Sequence, residues 1–420
     1  MAEVVRPAVG RRRGGLLRHR DFRLLWTAET VGKLGTNMGA FTLPLVAAVV
    51  LNASAPVMGL LTAAVWLPWL VIGLPAGAWV DRLPRRSVMI TCNAASIVLV
   101  ASVPLGAWLG VLTLGQVLAV ALLTGVASVF FSVAYGAFVP SLVARDELLE
   151  ANTKLKGSES AMQVAGPGVA GLLAQLFGTV SGLVGQAVAF VVSIGCLRAI
   201  GAEERRVPTR RASLRHDVLA GLRFVTGEPL LRTLMIFGAV SNVALSGCQA
   251  VQLVFLVHDV GLDEGTIGVL YAVASLGGVA GALVAGRVAR RFGTARGALL
   301  CQVCAAPFSL LTPLTATGPR LVLFAIGGLA VGTGVVAANI ICNAFRQSFC
   351  PPELLGRVGA TASTINFGAI PVGALLGGGL GGLIGPRATI WAMSALVVTA
   401  CLVLVLSPLR TLRDFPTGAA

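Results

Sequence analysis

The chain of 420 residues is dominated by long apolar runs, and these constrain its fold more than any other feature. Twelve such runs read as membrane-crossing helices, over 22–51, 56–80, 87–109, 112–139, 155–177, 181–200, 232–257, 265–286, 297–316, 320–345, 358–384 and 387–408. About twenty apolar residues in a helix cross the hydrocarbon core of a bilayer, where the backbone must satisfy itself internally. A mean hydropathy of +0.88 with 12% charged residues leaves too little polar surface to coat a soluble fold of this size. The 52 glycines suit close helix–helix approach in lipid. The expected class is an all-α polytopic membrane protein with twelve transmembrane helices.

The net charge of +15 is read as topology, without a nucleic-acid partner. With the N-terminus inside, thirty of the 32 lysines and arginines fall on the cytoplasmic side, leaving only Arg320 and Arg387 outside. Such asymmetry orients a polytopic protein with its basic loops inward, and it puts both termini in the cytoplasm. The expected divisions are a cytoplasmic tail at 1–21, six helices over 22–200, a cytoplasmic central loop at 201–231, six helices over 232–408 and a cytoplasmic tail at 409–420. Within the central loop Leu214, Val218, Leu222 and Val225 recur at near-helical spacing, as in a short amphipathic helix lying on the membrane face. The arginine-rich usage and the uncleaved, charge-interrupted first span point to a bacterial cytoplasmic membrane.

The two sets of six are internal repeats. The segment starting at Gly59 matches the one starting at Gly268, so that Leu61, Ala63, Ala76, Gly77 and Arg82 fall on Leu270, Ala272, Ala285, Gly286 and Arg291. Glu147 and Glu353 repeat at nearly the same offset, as do Pro167 and Pro371. Parallel repeats of half the chain length are a signature of transporters that rock two bundles about a midplane site.

With the stretch "GAWVDRLPRR" the pattern becomes specific. Gly77, Asp81, Arg82, Arg85 and Arg86 follow span 2, and Gly286, Arg290, Arg291 and Gly293 form a weaker copy after span 8. This spacing resembles the loop after the second helix of the major facilitator superfamily, with Pro84 where that family usually has glycine. "HRDFRLLW", "PSLVARDELLEAN" and "PPELLGRV" resemble its enterobactin-exporter-like and drug-efflux branch. Gly166, Pro167 and Gly171 in "GPGVAG" look like half of the antiporter motif on the fifth helix, with Met162 in place of its first glycine. The resemblance implies the major facilitator fold, a monomer, and export of a small amphipathic molecule (drug, siderophore or secreted metabolite) in exchange for protons. It also implies that the charged loops are conformational gates. The arginines of the first loop are explained by topology alone. Asp81 is not, and it reads as a latch against the N-terminal end of span 11.

In that fold spans 1, 4, 7 and 10 line the central cavity, and each has a polar stripe. Lys33 and Asn37 follow Glu29 on span 1, and Ser128, Ser132 and Tyr135 lie on span 4. Span 7 carries Asn242, Ser246 and Gln249, and span 10 carries Asn339 and Asn343. Spacings of three and four put each set on one helix face. Such stripes line a polar path or bond neighbouring helices. Glu29 and Glu159 are the candidate proton carriers. Glu29 with Lys33 reads equally as a static ion pair, and Glu159 as a solvated residue near its helix end.

No cofactor or metal is expected. The pair Cys301 and Cys304 lies within a span without a second pair or a nearby histidine, and reads as small buried hydrophobes. Without a GxxxxGK[ST] loop, the energy source expected is the proton gradient. The three histidines, His19, His216 and His258, fall at span ends or in loops, so no intramembrane enzyme is expected. A sensor would usually add a soluble effector domain, and an importer of the same fold stays open from cavity polarity alone.

Overall fold

The apolar runs fold into helices whose ends are fixed by a small set of residues. A computed structural model describes residues 16–416 except 81, 144–146, 202–222 and 351. The first group is α1 (Arg20–Val49), α2 (Ala55–Val71), α3 (Gly73–Val80), α4 (Arg85–Trp108), α5 (Leu114–Leu142), α6 (Leu148–Phe177) and α7 (Ser181–Ala199). The second is α8 (Pro229–Val254), α9 (Glu264–Phe292), α10 (Thr294–Ala305), α11 (Leu321–Phe349), α12 (Pro352–Ile384) and α13 (Pro386–Val405). Thr113 caps α5 by accepting the Gln116 amide at 3.2 Å, and Asp263 caps α9 by accepting the Thr266 amide at 2.9 Å. Those bonds satisfy amides that the first turn leaves without partners.

Span 2 is not one straight rod. Pro75 has no amide hydrogen to donate back to Val71, so the helix breaks between α2 and α3 and resumes after a single residue. A short 3-10 segment, Ala306–Leu314, continues α10 in a similar way. Among the described residues nine helical segments are long and apolar enough to cross a membrane, and Ala55–Val71 is a shorter apolar helix. α1 and α6, each 30 residues long, carry the interior charges.

Packing follows the repeat. In the first group α1 lies against α6 and α7, and α4 and α2 against α5; in the second α12 and α13 lie against α8, and α9 and α10 against α11. The two groups meet chiefly where α2 crosses α12 and where α6 crosses α9. Both crossings are glycine on glycine. A Cβ on Gly378 would stand 2.8 Å from the Gly59 Cα, and one on Gly171 would stand 2.7 Å from the Gly268 Cα. Gly59 and Gly268 are the repeat-equivalent residues noted in the sequence, so the contacts are related by the pseudo-symmetry of the halves. Both crossings lie toward the end of the molecule opposite the basic loops. Small residues there let backbones touch, gaining dispersion contact where lipid gives no hydrophobic drive between helices.

The glycines of α12 divide between two neighbours. Gly373 and Gly377 press on the α8 backbone, while Gly378 and Gly382 face α2. The helix runs on through Pro371 without a break, so this stretch serves packing in the structure. The proposed amphipathic helix of the central loop lies outside the described residues apart from Val225, which is buried.

Candidate functional site

Two polar centres stand out, one in each half. In the first half α1 and α6 bring four charges together. Lys33 Nζ lies 3.0 Å from Glu159 Oε1 and 3.6 Å from Glu29 Oε1. Lys156 Nζ lies 2.6 Å from Glu159 Oε2. Glu29 is only 4% exposed, whereas the Lys156 side chain is 77% exposed. Glu29 and Lys33 share a face of α1 because they are one turn apart. Glu159, 126 positions on from Lys33, is brought in by the packing of α6 on α1. One turn below, Trp26 Nε1 donates to Ser158 Oγ at 2.7 Å and ties the same two helices. Tyr135 of α5 lies within electrostatic reach of both carboxylates. Lys33 therefore bridges two acids, and two carboxylates share one interior ammonium.

The antiporter-like segment supports this arrangement from behind. Gly166 lies against Asn37 of α1, whose Nδ2 donates to the Lys33 carbonyl at 2.8 Å. Pro167 and Gly171 form the crossing with α9 at Gly268. One motif thus holds α6 to α1 within its own half and to α9 in the other.

The second half encloses a cavity of about 400 Å³. Its walls come from Val225, α8, α10, α11, α12, the end of α13 and the C-terminal segment, and among the described residues none of the first half lines it. Asn242, Gln302, Asn339, Asn343, Arg346 and Asn366 are its principal polar groups. Asn242 Nδ2 donates to Asn366 Oδ1 at 2.8 Å, and Asn366 Nδ2 to the Ala362 carbonyl at 2.8 Å. Arg346 donates to Asn343 Oδ1.

The other residues of the polar stripes sit elsewhere. Ser246 is buried, with its hydroxyl donating to the Asn242 carbonyl of its own helix at 2.6 Å, and it packs on Gly373. Gln249 and Ser128 are exposed, and Ser132 is half-buried. Tyr135 stacks on Phe131, with centroids 6.4 Å apart. Sequence reasoning did not single out Gln302, Asn366 or Arg346. Asn366 carried a signal, as a polar residue within the span that also holds Thr361 and Thr364, but that span was not among the four expected to line a cavity.

The two basic loops are partly described. Arg85 Nη1 donates to the Ala137 carbonyl at 3.0 Å, and Arg86 donates to the Arg198 carbonyl. These guanidiniums hold the start of α4 against the closing turns of α5 and α7, whose carbonyl ends are negative. Arg82 is exposed, and Asp81 lies outside the described residues. Among the described residues, and apart from its own helix backbone, no atom lies within 4 Å of a Cβ at Gly77. Contact between the halves continues along α2 as far as Leu70, which lies 2.9 Å from a Cβ at Gly368, with Trp66 and Trp69 packed on Phe367. In the second copy Gly286 meets only the Arg290 side chain, Arg290 and Arg291 are exposed, and Gly293 has a different duty. With φ of +92° it ends α9, and a side chain there would collide with the Arg413 backbone. The C-terminal segment docks at this turn, where Asp414 Oδ1 accepts the Thr294 amide at 2.8 Å.

This architecture is that of a major facilitator superfamily transporter, a membrane protein that moves small molecules and is not an enzyme. More narrowly, the chain belongs to the family described as transmembrane secretion effector, whose model matches residues 15–416. It is 30% identical over 371 residues to the multidrug efflux pump Tap of Mycolicibacterium fortuitum, covering 85% of this chain and 88% of that one. It is 26% identical over 389 residues to the enterobactin exporter EntS of Shigella boydii, covering 87% and 90%. Among solved structures, a bacterial homologue of the iron transporter ferroportin in its inward-facing state superposes with a TM-score of 0.74 at 17% identity, over 94% of this chain and 99% of that one. The outward-facing state of such a homologue gives 0.60 at 18% identity, over 92% and 99%.

Proposed function

We propose that the protein is a proton-coupled exporter of small amphipathic molecules in a bacterial cytoplasmic membrane, with both termini and the basic loops in the cytoplasm. The observation that carries this reading is the bridge of Lys33 between Glu29 and Glu159. With exposed Lys156 the two acids and two lysines balance, but the interior trio of Glu29, Lys33 and Glu159 holds one carboxylate more than ammonium, so a single added proton neutralises that trio. A site whose charge changes by one on protonation, inside a low-dielectric bundle, couples a proton to a conformational choice. The efflux pumps among the relatives support the outward direction.

The conformation supports alternating access. The glycine crossings hold the halves together at the outer end, while Gly77 at the cytoplasmic end has no described atom of the other half within 4 Å of its Cβ, as in an inward-open transporter. Cargo enters from the cytoplasm, the halves rock, and the loop after span 2 closes behind it. The better superposition on the inward-facing ferroportin homologue agrees with this state.

Transport into inverted membrane vesicles tests the coupling. Glu29→Gln and Glu159→Gln are each expected to lose uncoupler-sensitive accumulation of an effluxed dye by tenfold or more, while retaining downhill exchange. Unchanged uncoupler-sensitive accumulation in both variants would reject the proton assignment. The gate reading has a separate test. Asp81→Asn is expected to lower transport several-fold with normal expression and membrane insertion. Wild-type transport by that variant reduces the loop to a topology signal.

A further inference from the structure

The cavity of the second half is unlike a path between the two halves, because every residue that lines it comes from residue 225 onward. α10 and the end of α13 contribute Ala295, Gln302, Leu404 and Leu409, so the space penetrates the bundle itself. Its chemistry is one-sided. Arg346 is the only cation lining it, and no aspartate or glutamate lines it among the described residues. The Arg346 guanidinium has Asn343 as a hydrogen-bond partner, and no carboxylate among the described residues lies within ion-pair distance of it. The side amides of Gln302, Asn339 and Asn343 add further donors, while the remaining wall is apolar, including Phe237, Phe367 and Phe415.

We infer that this intrabundle cavity is a binding site for a monoanionic amphiphile, an organic carboxylate with an apolar body, whose carboxylate pairs with Arg346. A guanidinium presents two parallel N–H donors that match a carboxylate. One guanidinium neutralises one negative charge. A dianionic phosphate would leave one charge without a counter-charge beside the apolar wall. A cationic amphiphile would meet the arginine with its own sign. The volume of about 400 Å³ falls within the roughly 300–1,000 Å³ range of small-molecule sites, and admits a medium-length chain. Phe415 closes the cavity from the C-terminal segment. It stacks on Phe345 at 4.1 Å between centroids, and its amide donates to Thr294 Oγ1 at 2.9 Å. The site deepens the exporter reading by naming a ligand class, but it does not depend on proton coupling, so binding is measured without a gradient.

The experiment uses the full chain in lipid nanodiscs with radiolabelled decanoate, and decanol and decyltrimethylammonium as competitors. Saturable decanoate binding is expected, with weak competition from both. Arg346→Gln is expected to weaken binding tenfold or more, and Arg346→Lys, which keeps the charge but loses the paired donors, by an intermediate factor. As an independent readout, decanoate is expected to slow modification of Cys342, which lines the cavity, by N-ethylmaleimide followed by peptide mass spectrometry. If Arg346→Gln disturbs folding, Asn339→Leu provides a second variant, expected to weaken binding at least threefold. An acyl carboxylate extracted from purified wild type and missing from Arg346→Gln marks a resident lipid as the source. A site that is empty as purified and fills with added decanoate marks a visiting ligand. Both support the assignment. Absence of saturable binding, equal competition by decanol, or decanoate binding indifferent to Arg346→Gln in a folded variant overturns it.

Discussion

Replacing Gly378 with valine is expected to reduce transport tenfold or more while leaving expression and membrane insertion near normal. In the structure a Cβ at this position lies 2.8 Å from the Gly59 Cα and 2.9 Å from the Ala55 carbonyl. The atoms it meets are backbone, so no side chain can swing aside. α12 and α2 must separate, and the outer closure is lost. Because the two halves are related by a repeat, Gly268→Val, which strikes α6 at Gly171, is expected to give the same phenotype. Gly77→Val is the contrasting control: among the described residues beyond its own helix backbone nothing lies within 4 Å of its Cβ, so this conformation accommodates it. If the loop closes on the other half in the outward-open state, that substitution blocks transport from the opposite direction. Spin labels at residues 54 and 383, in a background without the native cysteines, separate the cases. Gly378→Val is expected to lengthen the distance between them, and Gly77→Val to keep it short. Wild-type transport by Gly378→Val would show that the outer crossing does not govern the cycle.

The positions of these crossings were half legible in the sequence. The repeat already aligned Gly59 with Gly268, and "GPGVAG" already marked Gly171. What the repeat alone did not give was the partner of each. Gly378 is one of several glycines in α12, and which of them meets α2 depends on the rotation of the helix about its own axis. Periodicity specifies a face but not its neighbour. The same limit applies to the charges. Glu29 and Lys33 are one turn apart and visibly related, but the approach of Glu159 follows from the packing of α6 on α1. Its surroundings therefore had to be seen: 22% of its side chain remains exposed, between two lysines. The cavity was the least legible feature. Asn242, Asn339 and Asn343 stood out as helical stripes, but Gln302 lies on a span outside the four expected to line a cavity, and Arg346 was counted among the charges that orient the chain. A basic residue at a helix end serves topology whether or not it also meets a ligand, so its identity alone does not separate the two uses.

The second large effect is expected at Lys33. Lys33→Met removes the only interior ammonium between two carboxylates, leaving Glu29, 4% exposed, without its counter-charge. Breaking a buried ion pair on one side costs about 3–5 kcal/mol. The low end of that range, about 3 kcal/mol, is expected because Lys33 retains 31% side-chain exposure and water tempers the field. Lys156 can still reach Glu159 but has no ion pair with Glu29 among the described residues, so the loss falls mainly on the buried acid. Thermal denaturation in detergent is therefore expected to show a clear drop for Lys33→Met, with transport abolished. Lys33→Arg keeps the charge and the donors, and is expected to stay close to wild type in stability. The decisive variant is the double substitution Lys33→Met with Glu29→Gln. Removing the orphaned charge is expected to restore at least half of the lost stability, because the two sites share one interaction and their effects are not additive. The double variant is nevertheless expected to remain silent in uncoupler-sensitive transport, since one of the two acids proposed to share the proton is gone. Recovery of stability without recovery of coupling separates the structural duty of the ion pair from its proposed role in the cycle. A double variant no more stable than Lys33→Met alone would mean that Glu29 finds another partner, and the bridge would lose its place at the centre of the mechanism.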